Sequence, residues 1–452
     1  MLDFSRAALT KLQLAIIIAV ICVAAIGGGY FYLQLQKPAA PEVIKIGWVA
    51  PLTGPLGPMA KAVPWVVSKL EEAINKEGGI YMKEYGKKIP VKIILKDSQS
   101  DASIAASVAA DLITREGVNL ITAVHAPATV LPVASQAEKY HVPCVVTLCP
   151  FLSWVDAGPY EWVYMVFPAE VEICENAVQL IGKIINKTNG VIGTLYLNDA
   201  DGKNFHDVTV KRLRELGYAK KIVDPGFIAL DTKEFGSIIE TFRREKVEII
   251  VGNVRSTEFL AFWRQCHEMG YIPKYLIVSR AAVSYTAIKA LGGDLPNGII
   301  TEWYWNKYLP FKSSLTGQTA AEFADEYERE NNEFYTYAIG CYHMLGEIFV
   351  DVLKRAGTID KDRLREAIAN IDLMTIYGRV CFKTPLTPER LELWKDYPKA
   401  LTMKDHWCTM PCFFGQWVKG TKWDWENVLV INAVFKEYQV PLQEPIPIPG
   451  SG

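Results

Sequence analysis

KIGWVAPLTGPLGP, residues 45–58, decides how the rest of the chain is read. The apolar run Ile46-Gly47-Trp48-Val49-Ala50 is cut off by Pro51 and followed by a loop holding Thr53, Gly54, Pro55, Gly57 and Pro58, a strand running into a glycine- and proline-rich turn. Beyond it Val63, Val67, Leu70 and Ile74 recur along one helical face that stops at Gly78-Gly79. Pro64 is tolerated because the first helical turn needs no backbone donor there. In an α/β domain the loop leaving the carboxyl end of a strand is where ligands sit.

The same unit repeats downstream. Val91–Leu95 ends at the polar stretch Asp97–Asp101, suited to a helix amino terminus, and an alanine-rich helix follows from about Ser103. Strands over 118–124, 142–147, 191–197, 247–251, 275–278 and 298–301 alternate with helices across short connections. Such βα runs predict parallel, doubly wound sheets with right-handed crossovers. Two sheets fit better than one, because single cores stop growing near ~250–300 residues. From about Ala320 the pattern turns helical, with a long segment expected over 334–355, and Pro441–Gly452 reads as a poorly ordered polyproline-like tail.

With 452 residues, half of them hydrophobic, and a formal charge of −2, the chain has room for a large core and no basic excess to attract nucleic acid. Leu14 to Leu33 carries no charge and reaches ~30 Å as a helix, about a bilayer's hydrocarbon thickness. Signal cores are shorter, so the stretch reads as a membrane anchor or an unusually long signal. Arg6 and Lys11 would stay in the cytoplasm and put the bulk outside. Cys22 follows Ile21 where a lipidated cysteine would follow a small residue. Of the eight later cysteines, Cys144 and Cys341 read as buried thiols, and Cys381, Cys408 and Cys412 as disulfide candidates. The spacing of His406, Cys408 and Cys412 matches no familiar zinc site, and neither a metal nor a cofactor is expected. The signatures GxSxG, HExxH, GxxxxGK and GxGxxG do not occur. No histidine neighbours a Ser or Cys as a nucleophile's base would, and His125 alone falls on a plausible cleft loop.

Four stretches taken in order, 50–57 with 75–80, 96–113, 142–146 and 231–251, resemble the type I periplasmic substrate-binding proteins of ABC importers, specifically the branched-chain amino acid group. The resemblance implies an α/β fold of two doubly wound parallel-sheet lobes joined by a three-crossing hinge, here behind an N-terminal transmembrane helix, with a ligand closed between the lobes. The segments would be 1–42 (anchor and linker), 43–167 plus 304–376 (lobe 1), 168–303 plus 377–436 (lobe 2) and 437–452 (Pro-rich tail), with crossings near Pro168, Trp303 and Tyr377. Matched position by position, the ligand-binding candidates in lobe 1 are Thr53, Gly54 and Met59, then Pro127, Ala128 and Thr129, then Thr147, Leu148 and Cys149. In lobe 2 and at the hinge they are Phe205, Arg255, Arg280, Trp303 and Tyr335.

The resemblance gives Thr129 and Thr147 the hydroxyls that would hold a ligand carboxylate. At 280, where amino acid binders of this kind place a glutamate for the ligand ammonium, this chain has Arg280, which favours a carboxylate. An organic acid is thus the leading ligand, with Met59, Phe205, Trp303, Trp305 and Tyr335 as aromatic and apolar walls. The implied function is capture of a small molecule outside the cell and delivery to an ABC permease, without catalysis. Alternatives are a membrane-anchored sensing ectodomain, for which about eleven cytoplasmic residues leave little to signal with, and an extracytoplasmic enzyme.

Overall fold

The computed structural model describes residues 39–451 apart from Ala219, together with Ile16 alone. The anchor expected at Leu14–Leu33 lies outside the described residues except for Ile16, as does Cys22. No helix among the described residues is long and apolar enough to cross a membrane.

The first sheet is built from β1 (Ile44–Ala50), β2 (Val91–Asp97), β3 (Leu120–Ala123), β4 (Cys144–Val146) and β5 (Val163–Val166). The second holds β6 (Val191–Tyr196), β7 (Lys221–Val223), β8 (Ile249–Asn253), β9 (Tyr275–Ser279) and β10 (Ile299–Trp303). Three later strands, β11 (Trp407–Cys408), β12 (Phe413–Lys419) and β13 (Trp425–Ile431), complete them. Strand order is β11-β5-β4-β3-β1-β2 in the first sheet and β13-β12-β10-β9-β8-β6-β7 in the second. The first is parallel throughout, and the second is parallel except for the antiparallel pairs β10–β12 and β12–β13. Every residue of β3, β4, β5, β8, β9 and β10 is buried, which is why these strands read as apolar runs without alternation. The helix Ala102–Thr114 starts where expected, its first amides bonded to the Asp101 carboxylate at 2.8 and 2.9 Å.

Three segments join the lobes. The first follows β5 at Phe167-Pro168, and the second follows β10 at Tyr304. The third departs from expectation. β11 pairs Trp407 with Met165 and Cys408 with Val166, so the chain is still in the first sheet at 408 and crosses over 409–412 rather than at Tyr377. The reason is tertiary: two strand residues suffice to extend a parallel edge, too few to show a periodicity.

Around the second crossing, Trp303 packs edge-on against Tyr335, Tyr337 and Trp417 at centroid distances of 6.0, 5.6 and 5.6 Å, and Trp305 donates to the Ile376 carbonyl at 3.0 Å. Phe334 and Tyr335 belong to this cluster, and the long helix begins only at Ala338, running to Ala356. The eight cysteines among the described residues are free, and no disulfide joins Cys381, Cys408 and Cys412.

The tail expected to be poorly ordered lies along the second lobe. Gln416 exchanges two hydrogen bonds with Ile446 at 2.7 and 2.9 Å, the Ile448 amide donates to the Lys274 carbonyl at 2.9 Å, and the Ile448 side chain is buried beside Gly298. One apolar residue with a paired backbone overrides the composition of its neighbours. Ile448→Ala should lower unfolding free energy by about 2 kcal/mol in a urea titration, with unchanged slope.

Candidate functional site

The strand carboxyl ends of both sheets face each other across a cavity of about 40 Å³. On the first lobe it is lined by Met59, His125, Ala126, Leu148, Pro150 and Phe167. Ile173, Asp201, Phe205, Asn253, Arg280 and Glu302 line the other side, and Tyr304 and Tyr337 close it at the hinge. Larger spaces of about 880 Å³ and 650 Å³ lie elsewhere, one on the outer face of lobe 1 beside Lys69 and Tyr81, one beside Arg379 and Trp407. The cleft is nonetheless the candidate site, because buried polar atoms without partners converge on it: His125 Nδ1, Asp201 Oδ1, Asn253 Oδ1, Arg280 Nε and Glu302 Oε2.

Local backbone puts these groups there. β3 ends one bridge short of His125, and the chain turns through positive φ at His125 (66°) and Ala126 (62°) into the helix Ala126–Tyr140. The Ala126 amide donates to the carbonyl of Leu148, itself at φ 58°, at 3.0 Å, tying two cleft loops together. Arg280 follows β9 at φ 66°, pinned by a 2.9 Å bond from its amide to Glu302 Oε1. Four of the ten described non-glycine residues with positive φ thus line this one cavity, the concentration of backbone strain expected of a functional site. Gly202 is required nearby, since a Cβ there would meet the Leu197 carbonyl oxygen at 2.2 Å.

Arg280 is buried and its guanidinium is already paired. Nη1 bonds Asp201 Oδ2 and Nη2 bonds Asp199 Oδ2, both at 3.0 Å. Asp199 also caps the helix Ala200–Leu216, accepting from the Gly202 amide at 2.8 Å. Burial pushes Asp201 up to about 6 against the pull of Arg280, and burial pushes Glu302 up to about 7. Burial likewise raises Glu170, just behind the cavity, to about 8 and lowers His125 to about 3, leaving the imidazole neutral. The Tyr342 hydroxyl, which donates to the Met59 carbonyl at 3.2 Å, accepts from His125 Nε2–H. His125 Nδ1 therefore presents a lone pair.

Of the residues singled out in the sequence, Met59, Leu148, Phe205 and Arg280 line the cavity. Thr53 and Gly54 do not line the cavity: the Thr53 hydroxyl donates to Asp97 Oδ2 at 2.6 Å, and Gly54 is folded against the Gln99 carbonyl. Pro127 and Ala128 form the first helical turn beyond Ala126 and do not line the cavity. The Thr129 and Thr147 hydroxyls expected to hold a carboxylate are buried within lobe 1, one 3.1 Å from Ser98 Oγ and the other donating to the Val166 carbonyl at 2.7 Å. Cys149 is wholly buried beneath its loop, and Arg255 is paired with Glu258 and, at 2.8 Å, Asp231. Trp303, Trp305 and Tyr335 are core, not cleft walls. Arg280 is not free to hold the expected carboxylate, since Asp199 and Asp201 already neutralise its charge. His125 stands on the cleft loop expected of it, whereas Asp201, Asn253 and Glu302 escape the sequence reading. Glu302 had a usable signal, a lone carboxylate inside the apolar strand IITEW.

A model of the periplasmic binding protein family matches residues 43–420. Among solved structures, a leucine binding protein from Thermotoga maritima is 16% identical with a TM-score of 0.67, over 86% of this chain and 99% of that one. A branched-chain amino acid transporter substrate binding protein from Streptococcus pneumoniae, in complex with isoleucine, is 15% identical with a TM-score of 0.68 over the same 86% and 99%. A solute binding protein of an ABC transporter from Rhodopseudomonas palustris, in complex with 3,4-dihydroxybenzoic acid, is 15% identical with a TM-score of 0.64, over 91% of this chain and all of that one. At these identities the likeness is one of fold.

Because the folded chain holds Glu302 near 7 against an ordinary value near 4.5, it keeps a proton that the unfolded chain has lost. Stability from this group therefore falls as pH rises between those values and stays lost above them. Glu302→Gln, which keeps the acceptor for the Arg280 amide, should be more stable than the parent at pH 8, by on the order of 2 kcal/mol, and no more stable at pH 4. Urea unfolding of both proteins at the two pH values measures the difference.

Proposed function

This chain belongs to the periplasmic binding protein family, and from that premise we propose that it is a solute-binding protein that closes two lobes on one small molecule outside the membrane and delivers it to an ABC-type permease. The observation that carries this reading is the convergence of unpartnered polar atoms from both lobes on one cavity between opposed strand ends. Fixed groups waiting in a dry cleft gain most when a ligand supplies the missing partners. The residues there support capture rather than chemistry: His125 is neutral with its Nε2 committed to Tyr342, Cys149 does not line the cavity and burial raises its thiol well above the ordinary range, and none of the residues lining the cavity pairs a nucleophile with a base. The uncharged stretch Leu14–Leu33 is the segment we assign to tethering the lobes at the membrane.

Thermal unfolding of the purified full chain against a panel of amino acids, hydroxybenzoates and small amines tests this. At 100 times its dissociation constant, a cognate solute should add about 2.7 kcal/mol of stability. Met59→Trp, which fills the cavity from the first lobe, should abolish the shift while leaving the ligand-free midpoint within a few degrees. A shift that survives the substitution would move the binding site elsewhere.

A further inference from the structure

Building on the cleft as the solute site, we infer that its ligand is a small organic cation bearing N–H groups, an amine or guanidine without a carboxylate, received by Glu302, Asp201 and Asn253 of one lobe and His125 of the other.

Glu302 Oε2, Asp201 Oδ1 and Asn253 Oδ1 belong to side chains 4%, 7% and 1% exposed; none is within hydrogen-bond geometry of a partner, the Ser279 and Tyr304 hydroxyls standing near Glu302 and the Asn253 side chain near Asp201. The His125 Nδ1 lone pair is a fourth acceptor, and Arg280 Nε is the buried donor without a partner, with the Tyr304 and Tyr337 hydroxyls at the hinge side. A guest that satisfies the cavity therefore brings several N–H groups. Charge points the same way. Asp199, Asp201 and Glu302 face a single guanidinium, whose terminal nitrogens are spent on the two aspartates. A cation gains charge-assisted bonds here, whereas an anion meets a carboxyl excess.

The first lobe, meanwhile, withholds the donors a carboxylate needs. The Ala126 amide is bonded to Leu148, the Thr129 hydroxyl to Ser98 and the Thr147 hydroxyl to Val166. What the lobe and hinge offer instead are ring faces and edges: Phe167 and Tyr304, then Tyr304 and Tyr337, lie with centroids 4.7 Å apart. Such a cluster beside carboxylates attracts ammonium and guanidinium groups. The cavity of about 40 Å³ has room for roughly three waters, the size of a guanidinium or small ammonium head.

Isothermal titration of the full chain at pH 7.5 with methylguanidinium, ethylammonium, tetramethylammonium, acetate, 4-hydroxybenzoate and leucine tests the inference. Binding is expected for methylguanidinium or ethylammonium and not for tetramethylammonium, which lacks N–H groups. Glu302→Gln should weaken that binding roughly tenfold or more, and Asp201→Asn should do likewise, circular dichroism and the unfolding midpoint confirming that each variant folds. Cation binding unchanged in both variants, or binding confined to acetate, 4-hydroxybenzoate or leucine and blocked by Met59→Trp, would overturn this inference while leaving the solute-site reading intact. Heats that Met59→Trp leaves unaltered for every compound would instead defeat the solute-site reading on which it rests.

Discussion

The guanidinium of Arg280, buried between Asp199 and Asp201 at 3.0 Å each, is the contact around which the cleft is arranged. A lone arginine at a strand end would be an anion trap, but one clamped by two carboxylates is a structural counter-ion. Its pairing leaves Asp201 Oδ1 and Glu302 Oε2 directed at the cavity, and its backbone, held in the left-handed region by Glu302, sets where those oxygens stand. Removing the guanidinium would leave two buried carboxylates without compensation, a change that costs far more than the pair is worth. The acidic character of the cleft and the strain of the β9 loop are thus two faces of one arrangement.

Lobe geometry depends on a different kind of contact. Edge-on rings of Trp303, Tyr335, Tyr337 and Trp417 pack the second crossing, while β11, an edge strand of only two residues, carries the chain back against the first sheet before it leaves for the second. Hinged closure needs connections that bend at few positions while each lobe moves as a unit. Packing the aromatic residues around one crossing gives it a dense support, and the short, largely buried segment 409–412 supplies the last link. The end of the tail reinforces the second lobe through Ile446 and Ile448, while its start, at Glu437 and Tyr438, touches Arg390 and Phe311.

Local signals made the two α/β lobes legible. Apolar runs ended by turn residues marked β1, β3, β4, β6, β8 and β9, because strands buried on both faces must be apolar along their length. Asp101 announced a helix because a carboxylate satisfies the first free amides whatever the tertiary context. Met59, Leu148, Phe205 and Arg280 could be placed near the site because the loops after strands converge in such a fold. Thr129 and Thr147 were misjudged, since a hydroxyl's partner depends on which neighbour lies within 3 Å, and Ser98 and the Val166 carbonyl come from other strands. Trp303 and Tyr335 were misread for a similar reason: an aromatic side chain serves equally as core or cleft wall, and only packing tells them apart.

Taken alone, the amino-acid order determined the strand and helix alternation, the two-sheet architecture and the loops from which a site could be built, because each depends on periodicity or on a residue's own backbone preferences. The sense of the site's charge was decided only by the tertiary structure. Arg280 stands some eighty positions from Asp199 and Asp201 in sequence and meets them at the ends of different strands. Whether a charge is free to hold a guest or already neutralised by its own chain is set by distances between such loops, and no local pattern encodes a distance.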